Sequence, residues 1–558
     1  MPNLSQIKRQ RMLDFLNKLR EEHKDDDSAL IALGEIESEL NAKKYGLVWE
    51  QHEEAVDVQM RTHIPVFTED VDREITAVPG GAYNFLLEGD NLHSLRLLEK
   101  THRGRIDVIY IDPPYNTKNK DFVYNDCTIG TDDGFRHSKW LSFMAERLHI
   151  AWGLLSDSGV IFISIDDNEQ AQLKLLCDDI FGESAFVAHI PWRKRTAKSD
   201  VPFGISQDYE SILCYANPLF RAAVKGKDRK YYETPDFPGK PWRFHDLTTQ
   251  RTVEERPNSN YTMVNPKNGD KFPVNRLRCW AITIDTFQQY YDEDRIIFPG
   301  DYDFLNISKP VLRYWKEDDV KKAGADFGLV AATTYLPYDS VGMTQDGTKE
   351  ITELFGTKIF SFPKPVGLIK HLIGIATTRN NNAIVLDFFA GSGTTAQAVL
   401  ELNAEDGGNR KFILCTNNEN GICENVTHPR IKTVISGKRE DESKYSDGLP
   451  ANLYYYRTDF VSKDEEYLSE ALMEHIAEMI QLEHGVKLDG QNYIMILDDD
   501  EADALATHWD EYSAVKALYV SKNVLFTTEQ NMMFRDVEIH IIPDYYFNFE
   551  LREVGETW

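Results

Sequence analysis

Residues 106–117 read Ile-Asp-Val-Ile-Tyr-Ile-Asp-Pro-Pro-Tyr-Asn-Thr, an apolar run that ends in an acid, two prolines and an aromatic ring. A short, mostly β-branched run is typical of a buried strand in a parallel sheet. The two prolines stiffen the chain just beyond the strand, at the edge where open α/β sheets bind ligands. The pattern therefore predicts that Asp112 and Tyr115 face a cleft, although an ordinary strand with a Pro-Pro turn is the structural alternative.

The chemistry that suits this loop is alkylation of an exocyclic amine on a planar base. The lone pair of such an amine is delocalised into the ring, so acceptors must draw electron density back toward the nitrogen. Asp112 can accept one N–H and the carbonyl of Pro113 the other, because proline lacks an N–H but keeps its carbonyl. Pro114 completes the stiff turn, and we expect Tyr115 to stack on the face of the base.

A second buried-strand run, residues 383–387, breaks into the loop Phe-Phe-Ala-Gly-Ser-Gly-Thr at 388–394 and then into a helix. Gly391 and Gly393 would let the backbone approach a ligand closely, and the start of the helix offers free N–H groups. The third glycine of a dinucleotide-binding fingerprint and the Lys-Ser/Thr of a P-loop are missing. Neither of those two motifs is therefore matched.

Asp-Pro-Pro-Tyr at 112–115 followed by Asp-Phe-Phe-Ala-Gly-Ser-Gly-Thr at 387–394 resembles the amino-methyltransferases of DNA that use S-adenosylmethionine. The order of the motifs, with the catalytic loop first, then target recognition, then the glycine loop, is that of the permuted beta class. The resemblance covers residues 80–218 and 346–435. By length and by the stretch at 410–420, the chain most resembles the modification (Mod) subunit of a type III restriction-modification system.

The resemblance implies an α/β fold, a Rossmann-like methyltransferase sheet with an inserted target-recognition domain and added N- and C-terminal domains. It implies methyl transfer from S-adenosylmethionine, without a metal, to N6 of an adenine flipped out of duplex DNA. It assigns the base to Asp112, Pro113, Pro114 and Tyr115. It assigns the cofactor to Asp90, Phe362, Lys364, Pro365, Asp387, Phe389, Ala390, Gly391, Ser392, Gly393, Thr394 and Glu419.

Several of these cofactor assignments have structural alternatives. Asp90 is expected near the cofactor's adenine but could instead be the N-cap of a helix. Asp387 could cap a turn without contacting the cofactor. Lys364 could pair with the methionine carboxylate or be a solvated loop residue. Many relatives bind the ribose through an acid at the tip of the strand after the glycine loop. Here that strand runs into Thr416, so Glu419, three residues on, is the nearest candidate.

Functional alternatives also stay open. In the family, Asp at the first motif position goes mostly with adenine and Ser mostly with cytosine N4, so adenine is expected and cytosine is the alternative. A stand-alone (orphan) methyltransferase without a restriction partner is a second alternative. Methylation of RNA or of a protein amide, and a DNA-reading subunit without activity, are further ones. The long basic insert and the motif order speak against methylation of RNA or protein, and the intact Asp112 and glycine loop speak against an inactive subunit.

The composition favours a large cytoplasmic enzyme. The chain has 558 residues, of which 42% are hydrophobic, enough for several domain cores. No apolar run approaches the ~18 residues of a membrane span, and no apolar signal region begins the sequence, so no membrane association is expected. The six cysteines lack metal-ligand spacing and are expected to be buried thiols.

The net charge of -29 argues against indiscriminate binding to a polyanion, so the distribution of charge carries the prediction of DNA contact. Residues 221–278 hold 13 Lys and Arg against 7 Asp and Glu, and a basic cluster precedes them. Basic residues interleaved with aromatic rings suit a surface that tracks phosphates and stacks on bases. The rings are Tyr231, Tyr232, Trp242, Phe244 and Trp280. The candidate DNA contacts are Arg193, Lys194, Arg195, Arg243, Arg251, Arg276 and Arg278.

These patterns divide the chain into five regions. Residues 1–60 have two amphipathic helices that either dock on the catalytic domain or make an oligomer contact. Residues 61–218 and 346–445 are the catalytic and cofactor halves of the methyltransferase domain, and 219–345 are the target-recognition domain. Residues 446–558 are a small C-terminal α/β domain whose acidic composition suits a protein partner. The expected partners are duplex DNA, a second copy in a homodimer and a helicase-nuclease restriction subunit.

Overall fold

The computed structural model describes residues 4–24, 26–41, 49–117, 123–124, 127–128, 134–196, 204–274, 277–543 and 546–555. The chain forms two compact units, one of Met1–Arg221 with Thr333–Trp558 and one of Ala222–Ala332. Among the helices in the described ranges, none is both long and apolar enough to cross a membrane. The five cysteines whose side chains are described are buried free thiols, as predicted.

The larger unit is built on a ten-stranded sheet. In chain order its strands are β1 His63–Glu69, β2 Ile75–Thr76, β3 Tyr83–Glu88, β4 Ile106–Ile111, β5 Leu155–Ile165, β6 Phe186–Arg193, β7 Tyr209–Ala216, β8 Ile384–Asp387, β9 Lys411–Thr416 and β10 Asn452–Ser462. Six neighbouring strands are parallel, in the order β10-β3-β9-β8-β4-β5. Antiparallel strands flank them: β1 and β2 pair with β10, β7 with β5, and β6 with β7.

The strand order creates a topological switch point between β8 and β4. The chain continues from β8 to β9 on one side and from β4 to β5 on the other. In open α/β sheets the ligand crevice lies at such a point, outside the carboxyl ends of the strands. Val385 pairs with Val108 and Leu386 with Ile109, so β8 and β4 end at the same edge. The prediction that the two loops share one sheet edge is confirmed.

One continuous core joins the sheet to helices Asn91–His102, Arg136–Leu154 and Gln170–Phe181. β4 is buried at nearly every position, so both faces of the sheet are covered there, as its mostly apolar sequence predicts. The other helices of this unit are Leu4–Glu22, Asp27–Asn41, Ala55–Met60, Tyr338–Val341, Thr344–Phe355, Val366–Thr377, Thr394–Asp406, His428–Ser436, Leu468–Met473, Ile476–His484, Asp499–Thr507, Thr528–Met533 and Asn548–Val554.

The predicted boundary at residue 446 is wrong, because β10 belongs to the central sheet and pairs in parallel with β3. Its run of tyrosines is buried, and the Tyr454 ring stacks on that of Tyr83 with centroids 4.2 Å apart. Aromatic pairing of this kind stabilises neighbouring strands. The small parallel sheet of the C-terminal region comes later, with strands Tyr493–Ile496, Ala517–Val520 and Glu538–Ile541.

In its described residues, the smaller unit, Ala222–Ala332, has one ten-residue strand, several shorter strands and the helices Ile284–Asp292 and Lys316–Ala323. Its four-stranded sheet has the order Tyr232–Thr234, Phe237–Asp246, Val311–Trp315 and Ile296–Ile297. Two further strand pairs are Val224–Lys225 with Leu329–Val330 and Met263–Val264 with Lys271–Phe272.

Two predictions about this inserted region are corrected. Trp242 and Trp280 are buried in the cores of the smaller unit, so they serve packing and are not available to stack on bases. The unit is also narrower than the predicted 219–345. Residues from Thr333 onward belong to the larger unit, where the Trp192 indole of β6 donates to the carbonyl of Gly342 at 3.0 Å.

Candidate active site

Asp112, Tyr115 and Lys364 form the centre of the site at the end of β4. The Lys364 Nζ lies 2.7 Å from each carboxylate oxygen of Asp112 and 2.8 Å from the Tyr115 hydroxyl. The Tyr115 hydroxyl in turn donates to Asp112 Oδ1 at 2.8 Å. Lys364 is only 9% exposed, so its ammonium depends on these oxygens in place of water. Lys364 is therefore not the solvated loop residue of the structural alternative.

A second carboxylate, that of Glu210 on β7, joins this cluster. Its Oε2 lies 3.2 Å from the Tyr115 hydroxyl and 3.6 Å from Lys364 Nζ, and its Oε1 accepts from Lys194 at 3.2 Å. Burial alone would raise the pKa of Glu210, but the two ammonium groups outweigh it and hold that pKa below its usual value. The site therefore contains two carboxylates and two ammonium groups in close contact.

The turn after β4 is fixed by side chains outside the cleft. The Trp140 indole donates to the carbonyl of Pro114 at 2.7 Å. Asn116 has a left-handed backbone, with φ of 54°, and its buried amide donates to the carboxylate of Glu169. Burial raises the pKa of Glu169 to about 8. These contacts hold the Asp-Pro-Pro-Tyr loop in place and leave Pro113 at the start of the turn.

The glycine loop after β8 has the backbone that its sequence predicts. Gly391 and Gly393 have φ of 49° and 75°, in the left-handed region that favours glycine. A Cβ on Gly393 would lie 3.2 Å from the side chain of Thr427. The Thr427 hydroxyl donates to the carbonyl of Gly391 at 2.6 Å. The loop is therefore held close to the start of helix Thr394–Asp406.

Asp387 begins this loop and is buried. Its carboxylate accepts from the backbone N–H of Phe389 at 3.0 Å and from the Thr395 hydroxyl at 2.5 Å. Burial raises its pKa to about 7. The turn-capping alternative for Asp387 is confirmed, since the side chain fixes the shape of the loop.

Arg430, on helix His428–Ser436, supports the glycine loop from inside the protein. Its guanidinium donates to Ser392 Oγ at 3.1 Å, Thr394 Oγ1 at 2.8 Å and Gln397 Oε1 at 3.0 Å. The side chain is fully buried, and burial lowers its pKa to about 10. Arg430 is not among the residues predicted from the sequence, because no motif links it to residues 392–397.

Asp90 follows β3 and is the N-cap of helix Asn91–His102, where it accepts a backbone N–H at 2.8 Å. The N-cap alternative for Asp90 is thus confirmed. Its carboxylate also lies 3.2 Å from Nη2 of the fully buried Arg147. The Asn91 side chain donates to the carbonyl of Phe388 at 2.8 Å, which ties this helix to the glycine loop. Asp90 therefore has a structural role at the same sheet edge.

The segment at 362–365 lies against the glycine loop, because the Thr394 hydroxyl donates to the carbonyl of Lys364 at 3.2 Å. Phe362 is exposed with φ of 55°, and Pro365 is the N-cap of helix Val366–Thr377. Glu419 lies on the exposed turn Glu419–Gly421 beyond the end of β9. Ala390 donates its backbone N–H to the carbonyl of Cys415 at 3.1 Å, which joins the loop to β9.

The basic candidates of the larger unit differ in their contacts. Lys194 belongs to the cluster around Glu210, a role that no local sequence pattern indicates. The Arg193 guanidinium lies 3.8 Å from Asp208, and Arg195 donates to the carbonyl of Gln207 at 3.1 Å. Of the basic residues at 193–195, Arg193 and Arg195 therefore remain candidates for DNA contact.

In the smaller unit, the Arg243 guanidinium pairs with both oxygens of Asp319, at 2.6 and 3.0 Å. Its guanidinium also lies over the Tyr314 ring. Arg251 and Arg278 are exposed, and their guanidinium groups lie 4.0 Å from Glu255 and 3.5 Å from Asp246. Arg276 falls outside the described residues. The structure thus gives Arg243 a packing role and leaves Arg251 and Arg278 on the surface.

Comparison with known proteins shows the family of the chain. Residues 106–427 match the family model described as DNA methylase. The chain is 35% identical over 391 residues to the type III restriction-modification enzyme StyLTI Mod subunit of Salmonella typhimurium, covering 63% of this chain and 55% of that one. It is 31% identical over 436 residues to the EcoPI Mod subunit of Escherichia phage P1, covering 69% and 65%.

A third relative is the type II methyltransferase M.KpnI of Klebsiella pneumoniae, 33% identical over 393 residues, covering 67% of this chain and 87% of that one. The chain spans 55% and 65% of the two Mod subunits, less than two thirds of their length. The sheet and its two loops define a Rossmann-like methyltransferase fold. The chain belongs to the DNA methylase family, and the resemblance seen in the sequence is confirmed.

Proposed function

We propose that the chain is a site-specific DNA methyltransferase that modifies N6 of an adenine flipped out of duplex DNA, using S-adenosylmethionine. The observation that carries the proposal is the meeting of two loops at the ends of neighbouring strands β4 and β8. Membership of the DNA methylase family supports DNA as the substrate. An enzyme with this substrate works where the cell's DNA lies, which in a bacterium is the cytoplasm.

The loop after β8 suits the proposed cofactor. Gly391 and Gly393 carry no side chain and have a left-handed backbone, so a ligand can approach the main chain closely. The first turn of helix Thr394–Asp406 begins directly after them and presents backbone N–H groups. When bound, S-adenosylmethionine supplies an electrophilic methyl group on a sulfonium. Phe389 and Glu419, at the ends of the neighbouring strands β8 and β9, are proposed to contact it as well.

The residues after β4 act on the target amine. A base inside the duplex cannot reach the cleft, so the adenine must be flipped out at a cost of a few kcal/mol. Asp112 and the Pro113 carbonyl accept the two N–H groups and draw electron density toward the nitrogen, while Tyr115 contacts the ring. The Asp112 carboxylate is also placed to accept the proton that the amine loses. The rate gain comes mainly from positioning and fixed dipoles.

The experiment that tests this proposal is transfer of a labelled methyl group to duplex DNA by the full chain, followed by digestion to nucleosides. We expect the label in N6-methyladenine. Label in N4-methylcytosine would assign the other base to the same site. Label in RNA or protein, with none in DNA, would contradict the proposal.

A finer proposal is that the chain is the modification and specificity subunit of a type III system, with a helicase-nuclease restriction subunit as partner. Two relatives are named Mod subunits, which supports it. Residues 461–558 hold 22 acids against 6 bases, a composition better suited to protein than to DNA. Co-purification of a helicase-nuclease encoded beside this gene would support the proposal. A chain that methylates DNA but retains no such partner would be a stand-alone enzyme, as the type II relative suggests.

We also propose that a second copy of the chain covers the hairpin of helices Leu4–Glu22 and Asp27–Asn41. One side of the hairpin is an apolar groove lined by Met12, Phe15, Leu16, Leu19, Leu33 and Ile36, with the Phe15 side chain 60% exposed. The first helix has five Lys and Arg against three acids, and the second has four acids and no base. Two hairpins packed face to face can therefore place each basic helix beside an acidic one.

A further inference from the structure

The Asp112 carboxylate is already occupied in this structure. It accepts from Lys364 at both oxygens and from the Tyr115 hydroxyl at one of them. An ammonium on both oxygens withdraws the electron density that the proposed target amine needs. A carboxylate that is to polarise the amine strongly must therefore release part of these contacts. Lys364 cannot simply lose its partner, because a buried unpaired ammonium is costly.

Glu210 offers these two donors a second place to bind. The Tyr115 hydroxyl has one hydrogen and two carboxylates within reach, Asp112 at 2.8 Å and Glu210 at 3.2 Å. Lys364 Nζ lies 3.6 Å from Glu210 Oε2, so a shift of less than 1 Å brings it to the usual distance of a charged hydrogen bond, about 2.8 Å. Lys194 holds the other oxygen of Glu210 in place.

We propose that Glu210 is a positioning residue that takes over Lys364 and Tyr115 when Asp112 accepts the target amine. The cluster holds two carboxylates and two ammonium groups before and after this exchange, so no buried charge is left unpaired at either stage. The inference rests on the proposed methyltransferase function. It also explains why a carboxylate on β7, outside both loop motifs in the sequence, lies in this cluster.

The test is Glu210→Gln, which keeps the size of the side chain and one acceptor oxygen but removes its charge. We expect kcat for methyl transfer to fall by about 10-fold to 100-fold, of the order of one lost electrostatic contact in an active site. The dissociation constant of S-adenosylmethionine, from equilibrium titration, stays within about threefold of the wild type. Glu210→Asp keeps the charge and is expected to recover part of kcat.

Asp178→Asn is a matched control. The Asp178 carboxylate accepts from Lys174 at 2.6 Å and from Tyr215 at 2.8 Å, so it too binds a lysine and a tyrosine. Tyr215 lies on β7 near the end opposite Glu210. Loss of this charge is expected to leave kcat unchanged. A fall in kcat for Asp178→Asn equal to that of Glu210→Gln would assign both effects to general stability and overturn the inference.

The coupling between Glu210 and Lys364 gives a second measurement. In a Lys364→Met background, Glu210→Gln is expected to lower kcat by less than about threefold, because the ammonium that Glu210 receives is gone. A full additive loss there, or a wild-type kcat for Glu210→Gln alone, would overturn the inference. A wild-type chain that binds S-adenosylmethionine but methylates no DNA would overturn the proposed function itself, so the two failures are distinguishable.

Discussion

Lys364 and Asp112 are 252 residues apart in the chain, yet the lysine Nζ lies 2.7 Å from both oxygens of the aspartate. The segment that holds Lys364 lies against the glycine loop that follows β8, and β8 is the neighbour of β4 in the sheet, although the smaller unit is inserted between β4 and β8 in sequence. The loops after β4 and β8 therefore belong to one site, although they lie far apart in the chain.

Replacement of Arg430 by methionine is expected to lower the free energy of unfolding by about 2–4 kcal/mol, because buried hydroxyl and amide oxygens lose their donor. The same change weakens S-adenosylmethionine binding by about 10-fold, since the glycine loop loses its support. Urea unfolding and cofactor titration measure the two effects. Arg535→Met, at an exposed arginine, is the control and should stay within about 0.5 kcal/mol of the wild type. Equal stability of the two variants would refute the role of Arg430.

Glu169 predicts a pH dependence of stability. Its pKa is about 8 in the folded chain and 4.5 in its ordinary state, so the folded protein binds more protons between these values. Stability then falls as pH rises from 5 to 8. We expect Glu169→Gln to remove part of this loss of stability. Between pH 5 and pH 8, the free energy of unfolding of the variant should therefore rise relative to that of the wild type by on the order of 2 kcal/mol. Urea unfolding of both proteins at pH 5 and pH 8 measures the difference. A constant difference between them would contradict the prediction.

Arg251 and Arg278 are expected to contact phosphates. Alanine at either position should weaken DNA binding at low salt and reduce the dependence of log affinity on log salt by about one unit. Arg243→Ala is the matched comparison, because that guanidinium is bound to Asp319. It should lower the thermal midpoint without changing the salt slope. Fluorescence anisotropy on duplex DNA at several salt concentrations separates the two classes, and identical slopes in all variants would argue against these phosphate contacts.

The hairpin of helices Leu4–Glu22 and Asp27–Asn41 makes a prediction about assembly. If a second copy covers its apolar groove, Phe15→Glu with Ile36→Glu should convert a dimer into a monomer in sedimentation velocity. Each glutamate would otherwise lose its hydration in the interface, at a cost of several kcal/mol. Leu525→Glu, at an exposed leucine away from the groove, should leave the dimer intact. A wild-type chain that sediments as a monomer would contradict the proposed contact.

The strands and loops of the site could be predicted from sequence because their signals are local. Residues 106–117 and 383–394 each contain a buried strand and the turn that follows it, and the structure places both as predicted. Glu210 and Arg430 could not be found in this way. Their partners, such as Lys364 for Glu210 and Ser392 for Arg430, lie in other segments of the chain. Each side chain reaches the site only through the fold of the sheet.

The wrong domain boundary at residue 446 and the wrong role predicted for Trp242 also come from contacts between distant segments. The run of tyrosines in β10 is a central strand only because β3 lies beside it, which no local pattern reveals. The aromatic side chain of Trp242 would suit a nucleic-acid surface, but its ring is buried in a core of the smaller unit. Burial of such residues depends on the tertiary neighbours that the sequence does not display.

The most direct test of the shared site is Asp112→Ala, assayed both for cofactor binding and for methyl transfer to duplex DNA. We expect the S-adenosylmethionine dissociation constant to change by less than about threefold, while methyl transfer falls by about 10³-fold or more. Methyl transfer by Asp112→Ala at the wild-type rate would contradict it.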